Sequence, residues 1–278
     1  MINREGPAYK VFRGVVLAVW LVITLFPLAW ILITSFKPAG SIASYPLQYL
    51  PRPFTLDNYK QLFSTGSFGT FVANSLIVSI LAAAIATGIA LLGAYVLDRF
   101  SFRGRGALLM AFLVTQMIPA FIALGPLYAL MVQLGLVDSR AGLTLVYVAM
   151  CIPFCTIMLR GFFANVPAEL EEAAMVDGCG RLQALMRIIV PVMGPGLVAT
   201  FIFNFVNCWN ELFLSVTLIN TETSKTIPAA LNGYISSFNI EWGPMSAAAV
   251  LAIIPTMGLF ALASRYIVQG LTSGAVKG

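Results

Sequence analysis

The chain is 278 residues long, 59% hydrophobic and only 10% charged, with a mean hydropathy of +0.91. This composition excludes a soluble domain, and its continuous rather than alternating apolar runs exclude a transmembrane β-barrel. Histidine is absent, which removes Ser-His-Asp and Cys-His catalysis and every metal site that needs imidazole. The formal charge of +5 does not argue for a nucleic-acid partner, because in a membrane protein the placement of Lys and Arg matters more than their sum.

Met1 to Arg13 is short, polar and basic. An apolar run follows over about 15–36, longer than the ~18 residues that cross a bilayer as helix. It is too long for a signal-peptide core and no small-x-small cleavage site follows, so it is expected to be retained as span 1. Residues 37–63 are polar, and Pro38, Pro46, Pro51 and Pro53 argue against a continuous helix there. Further spans are expected over about 68–97, 107–132, 141–159, 196–219 and 244–268. In the second, Ala84 and Gly88 put two small residues on one face and allow close helix packing. Pro119 and Pro126 fall in the third, Pro153 in the fourth and Pro255 in the sixth; membrane helices tolerate proline for many reasons, and no role is assigned to them. Cys151, Cys155, Cys179 and Cys208 read as small buried hydrophobes, with no disulfide framework. The expected architecture is an all-α polytopic membrane protein with six transmembrane helices, forming a single domain over 1–278.

Six spans place both termini on one side. Of the 16 Lys and Arg residues, only Lys37, Arg52, Lys60, Arg140 and Lys225 fall on the opposite side. The excess of positive charge predicts cytoplasmic termini.

Between spans 4 and 5, Pro167 to Pro191 is polar yet patterned as helix. Glu169, Glu171, Glu172, Asp177, Arg181 and Arg187 lie in it. Pro167 suits a first helical position, having no N–H that needs a partner. The acidic residues behind it suit a helix N-terminus. Leu170, Ala173 and Ala174 fall at i, i+3 and i+4, a narrow apolar face. Gly178 and Gly180 break the run, and a second short helix over about 181–190 leads to Pro191. The expectation is helix, glycine turn, helix, outside the bilayer, in a loop covering 164–195.

Glu172-Ala173-Ala174, then Gly178, then Ile188-x-Val190-Pro191 resemble the EAA loop of ABC-importer permease subunits, with Val190 where that family has leucine. The resemblance implies a type I ABC-importer permease fold. It also implies that the loop docks into a cleft on an ATPase subunit. Glu172 would then be a polar contact, Ala173 and Ala174 would allow close approach, and Asp177, Gly178 and Pro191 would complete the coupling element. The implied partners are a second homologous permease subunit, a dimer of ATPase subunits, an extracytoplasmic solute-binding protein and membrane lipid. The implied location is the bacterial plasma (inner) membrane. No Walker A loop is present, so ATP and Mg are expected on the partner ATPase and no cofactor on this chain.

Span 5 carries Glu211, an acidic residue inside an apolar run. Such a group normally faces protein or a water-filled cavity. Asn204, Asn207, Glu211 and Ser215 lie at i, i+3, i+7 and i+11, one stripe of a helix, with Asn210 off it. Carboxamides both donate and accept, which suits a polyhydroxylated solute; interhelical hydrogen bonding is the plainer use of Asn204 and Asn207. Gln116, Tyr128 and Tyr147 are further pathway candidates. Leu50-Pro51-x-Pro53-x-Thr55-x-Asp57-Asn58-Tyr59, Trp209-Asn210-Glu211-Leu212 and the tail from Gly270 to Gly278 resemble corresponding segments of carbohydrate-uptake (maltose-type) permeases. The resemblance thus implies import of a sugar or oligosaccharide, with glycerol-3-phosphate or another polyol as the alternative. A membrane-embedded enzyme would need paired catalytic groups within reach of each other. An ion-coupled secondary transporter would need inverted repeats and paired intramembrane charges. Neither pattern is present in the sequence.

Overall fold

A computed structural model describes residues 6–64, 67–235 and 240–275, with side chains as far as residue 261. Arg4, the side chain of Arg265 and the end of the tail motif at residues 276–278 lie outside the described residues. The main helices are α1 (Pro7–Ser35), α2 (Asp57–Ser64), α3 (Phe68–Arg99), α4 (Arg105–Met117) and α5 (Leu124–Gln133). They continue with α6 (Arg140–Phe163), α7 (Glu169–Val176), α8 (Arg181–Val192), α9 (Gly194–Asn210), α10 (Phe213–Leu218), α11 (Ile227–Asn232) and α12 (Trp242–Ala275). Among the described residues, α1, α3, α6 and α12 are each long and apolar enough to cross a bilayer. Two bent pairs pass the same test, α4 with the 120–133 segment (94°) and α8 with α9 (79°), which makes six spans if each pair is one.

The third expected span is therefore not one straight helix. Ile118 is extended, with φ −80° and ψ 118°, as the residue before a proline prefers. Pro119 breaks the helix, whereas Pro126 sits in the first turn of α5, where its missing N–H costs nothing. Helices run unbroken through Pro27, Pro153 and Pro255.

The chain forms two compact units, residues 1–68 with 233–254, and residues 69–232 with 255–278. In the first, the end of α1 is tied to the loop that follows it. The Asn58 carboxamide donates to the carbonyls of Ser35 and Lys37, both at 2.9 Å; the first is one of the acceptors that a helix C-terminus leaves open. The Ser35 and Tyr59 hydroxyls meet at 2.8 Å, and the Phe36 ring stacks on Phe54 at 4.7 Å. Lys37 is fully buried, donates to the Gln48 carbonyl at 2.6 Å and lies over the Trp30 ring. Burial pulls its ammonium below the ordinary lysine range. A Cβ added at Gly243 would collide with the Asn58 carboxamide, so close approach of the chain requires glycine there.

In the second unit α3 packs through a stripe of small residues. Ala82, Ala86, Ala90 and Ala94 are wholly buried at a spacing of four, which lets neighbouring helices approach closely. Ala84 and Gly88, the pair expected to do this, are exposed. The alanine-rich sequence offers two registers, and the other one packs. The core around the stripe joins Leu143, Cys155, Leu159 and Phe163 of α6 to Leu185 and Ile189 of α8. The far end of α3 is held to the 223–227 segment. Asn74 donates to the carbonyls of Thr223 and Lys225, both at 2.9 Å, and the Ser75 hydroxyl accepts the Ile227 N–H at 2.8 Å. Beside it Asp138, at φ 56°, accepts the N–H groups of Asn220 and Thr221 and the Thr221 hydroxyl. These bonds hold its carboxyl below the usual carboxylate range, the Thr221 hydroxyl contributing most.

Gly243→Ala should destabilise the protein by about 1–3 kcal/mol through overpacking. Gly258→Ala, in a helix with open space around its Cβ, should be neutral or stabilising by up to about 1 kcal/mol. Thermal unfolding of the two variants in detergent checks the contrast.

Candidate functional site

The loop between α6 and α9 is built on α7. The helix starts at Glu169 rather than Pro167, whose carbonyl accepts the Leu170 N–H in the opening turn. Glu169, Glu171 and Glu172 fill the first turn, where the helix dipole favours negative charge. At the other end Gly178 takes φ +87°. The Cys179 N–H bonds to the Ala174 carbonyl (3.0 Å) and the Gly178 N–H to the Met175 carbonyl (3.1 Å). This is a Schellman cap, which needs a left-handed residue, and glycine takes that conformation without a Cβ penalty. Gly180, expected to share in the break, has an ordinary extended φ of −69°. The second helix is one run over Arg181–Val192, widened to a π-turn at Leu185–Ile189. The wide turn directly precedes Pro191, which offers no N–H and needs room beside the carbonyl four residues back.

The inward face of α7 differs from the expected one. Glu171 and Ala174 are buried, while Leu170, Ala173, Glu172, Asp177 and Gly178 are exposed. Of the apolar stripe expected at Leu170, Ala173 and Ala174, only Ala174 packs. The outer surface also shows Val176 at 87% exposure, with Leu182 and Met186 beyond the turn and Pro191 at its end. The loop thus presents small, apolar and acidic groups together on a surface that the described residues do not cover. Behind it the buried Glu171 carboxylate accepts the Tyr95 hydroxyl and pairs with Arg99 Nε at 3.4 Å. Arg99 also donates to the Val166 carbonyl at 2.8 Å and pairs with Asp98 at 3.0 Å. Arg181 lies 5.0 Å from the Phe100 ring centroid. Sequence reading missed Glu171; the only available signal was its place one residue off the expected apolar stripe.

The second feature is a cavity of about 330 Å³ lined by Gln116, Tyr147, Cys151, Phe154, Phe203, Asn204, Asn207, Cys208 and Glu211, with Met150 and Leu214. It gathers Gln116, Tyr147, Asn204, Asn207 and Glu211 from the expected pathway set. It leaves out Asn210, whose carboxamide folds back onto the Val206 carbonyl at 2.9 Å. Ser215 is buried against Thr226, and Tyr128 lies elsewhere on α5. The continuous stripe along span 5 does not exist, because α9 ends at Asn210 and Glu211 is extended, with φ −72° and ψ 120°. The chain resumes as α10 at Phe213. Glu211 makes this break tolerable. Its carboxylate accepts the Leu214 N–H at 3.0 and 3.1 Å, the Ser215 N–H at 3.1 Å and the Tyr147 hydroxyl at 2.9 Å. Buried Asn204 donates to Cys155 Sγ on α6, the interhelical use of its amide. Asn207 and Gln116 are exposed to the cavity. The rings of Phe154 and Phe203 stack at 4.5 Å beside them. Cys151 and Cys208 are free thiols 3.7 Å apart. The lining holds one carboxylate and no Lys or Arg.

These features define a polytopic helical membrane protein with an interrupted-helix cavity and an uncovered loop, the layout of a transport subunit. Residues 86–273 match the family described as binding-protein-dependent transport system inner membrane component, and the chain belongs to that family. It is a transport component rather than an enzyme. It is 39% identical over 269 residues to the diacetylchitobiose uptake system permease protein DasC of Streptomyces coelicolor, covering 97% of this chain and 98% of that one. It is 36% identical over 269 residues to the sulfoquinovosyl glycerol transport system permease protein SmoH of Agrobacterium fabrum (97% and 94% covered). To the trehalose transport system permease protein SugB of Mycobacterium tuberculosis it is 34% identical over 256 residues (91% and 93% covered). A chain from the crystal structure of a bacterial ABC transporter involved in the import of the acidic polysaccharide alginate superposes with a TM-score of 0.81. Its 22% identity, over 96% of this chain and 99% of that one, shows a shared fold.

Glu211→Gln replaces one accepting oxygen with a donor and should lower stability by about 1–3 kcal/mol, the cost of a buried group left unpaired. Asn210→Ala should stay within about 0.5 kcal/mol, as surface changes do. Unfolding midpoints in detergent would separate the two.

Proposed function

We propose that this chain is one of two permease subunits of a bacterial ABC importer for a sugar or short oligosaccharide. The observation that carries the reading is near-full-length similarity to permeases named for diacetylchitobiose and trehalose uptake. The cavity chemistry supports it. Carboxamides at Gln116 and Asn207 offer donors and acceptors to hydroxyls, and the stacked Phe154 and Phe203 rings offer an apolar face to a sugar ring. An anionic solute such as a sugar phosphate would call for a fixed cation, and the lining holds none. This favours a neutral solute over glycerol-3-phosphate.

The rest of the assembly follows from the loop. A partner ATPase binds ATP and Mg, and its cleft receives α7 through Glu172, Ala173, Ala174, Asp177 and Gly178, with Pro191 ending the element. Both termini and this loop lie in the cytoplasm, in keeping with the excess of Lys and Arg on that side. An extracytoplasmic binding protein delivers the solute to the opposite face. ATPase closure moves the loop, and the spans turn from inward-facing to outward-facing.

Uptake of labelled diacetylchitobiose and trehalose, in cells carrying the assembled transporter, tests this. Gly178→Asp or Glu172→Lys should abolish uptake at an unchanged membrane level of protein. Asn207→Ala should weaken apparent affinity by about 2- to 10-fold, the worth of one hydrogen bond. Normal uptake in both loop variants would refute the coupling role.

A further inference from the structure

The coupling role requires that movement of the loop reach the solute pathway. Covalently, the loop joins only α6 and α9. Both joints are poor levers. Residues 164–168 between α6 and α7 hold no complete helical turn, and α8 meets α9 at a 79° bend. Leu185 and Ile189 pack α8 into the core, and α7 has an attachment of its own. Glu169, Glu172 and Asp177 are exposed, but Glu171 is buried. It grips α3 through the Tyr95 hydroxyl and Arg99 Nε. Arg99 in turn holds the Val166 carbonyl at 2.8 Å, just before α7. An exposed ion pair would exchange with water and transmit little. Opening this largely buried pair is costly on one side, because the Glu171 carboxylate would be left uncompensated while Arg99 keeps Asp98 at 3.0 Å.

The helix it grips is continuous over 32 residues. At its other end Asn74 and Ser75 hold the 223–227 segment. At 1.5 Å per residue, Arg99 and Asn74 lie roughly 37 Å apart along one rigid rod. Packed rigid elements of this kind carry coupling between distant sites. We propose that Glu171, with Arg99 and Tyr95, is the positioning cluster that delivers motion of the coupling loop to α3, and through α3 to the 223–227 segment on the opposite face. The proposal rests on the coupling-loop reading above. It assigns Glu171 a task distinct from that of Glu172: Glu172 meets the partner, and Glu171 passes the movement inward.

The test uses the whole transporter, assembled with its ATPase and spin-labelled at Val176 in the loop and Asn220 near the far end of α3. The probe is a non-hydrolysable ATP analogue, and the readout is the distance distribution between the labels with and without it. In the wild type the analogue should shift that distribution. Glu171→Gln keeps the size and an acceptor for Tyr95 but removes the charge facing Arg99. In the assembled complex it should lose the shift while the analogue still binds. Tyr95→Phe, which removes one hydroxyl, should reduce it, and decides the matter if Glu171→Gln fails to assemble. A purely structural role predicts less complex with a full shift in what remains. That result, or a full shift in both variants, overturns the positioning cluster and leaves the coupling loop standing. No shift in the wild type overturns the coupling-loop reading and the cluster with it.

Discussion

In hydrocarbon no water can satisfy a backbone N–H or C=O, so every interruption of a membrane helix must be repaired from within the protein. This chain interrupts its helices at Ile118–Pro119, at Met193 and at Glu211–Leu212. The last break is repaired by a side chain. Glu211 takes up the first free N–H groups of α10 and the Tyr147 hydroxyl. A carboxylate at that depth is expensive unless hydrogen-bonded, and here the exposed helix end supplies the donors. The charge and the break each make the other tolerable. Beside the break lies the cavity between α6 and α9, largely apolar, with stacked rings on one side.

How much of this was legible depended on whether one residue or a packing choice carried the information. The helical membrane class was legible because long apolar runs have no other stable form. The turn at Gly178 was legible because only a few residues end a helix with a left-handed cap. Which face of a helix points inward was not. On α7 the face carrying a glutamate packs and the one carrying Leu170 does not; on α3 the alanine register two residues away from Ala84 and Gly88 packs. Periodicity gives a set of faces, and only tertiary partners choose among them. Buried Tyr95 and half-buried Arg99, 76 and 72 residues before Glu171, have no local signature that pairs them with it. The same holds for Asn58, which caps α1 from 23 residues away.

The break at Glu211 escaped sequence reading for a related reason. Nothing local marks it, since neither proline nor glycine stands at Asn210–Leu212 and the polar residues keep helical spacing across it. The spacing was accurate for Asn204, Asn207 and Glu211, which do share one cavity, and it failed at Ser215, beyond the break. Charge placed at a polar site in an apolar run was the better guide than period.

The loop and the cavity belong to one unit of the chain, and α6 and α9, which flank the loop, also line the cavity. The proposed meeting place of an ATPase and this chain is the outer surface of α7. The most direct measurement places a photo-crosslinking residue at Val176, fully outside the chain's own packing, and identifies the adduct in membranes that contain the assembled transporter. The expected product is a crosslink to the ATPase subunit, absent from a control label at Ile254 on α12. Adducts only to lipid or to the other permease, with the ATPase present in the same membranes, would contradict it.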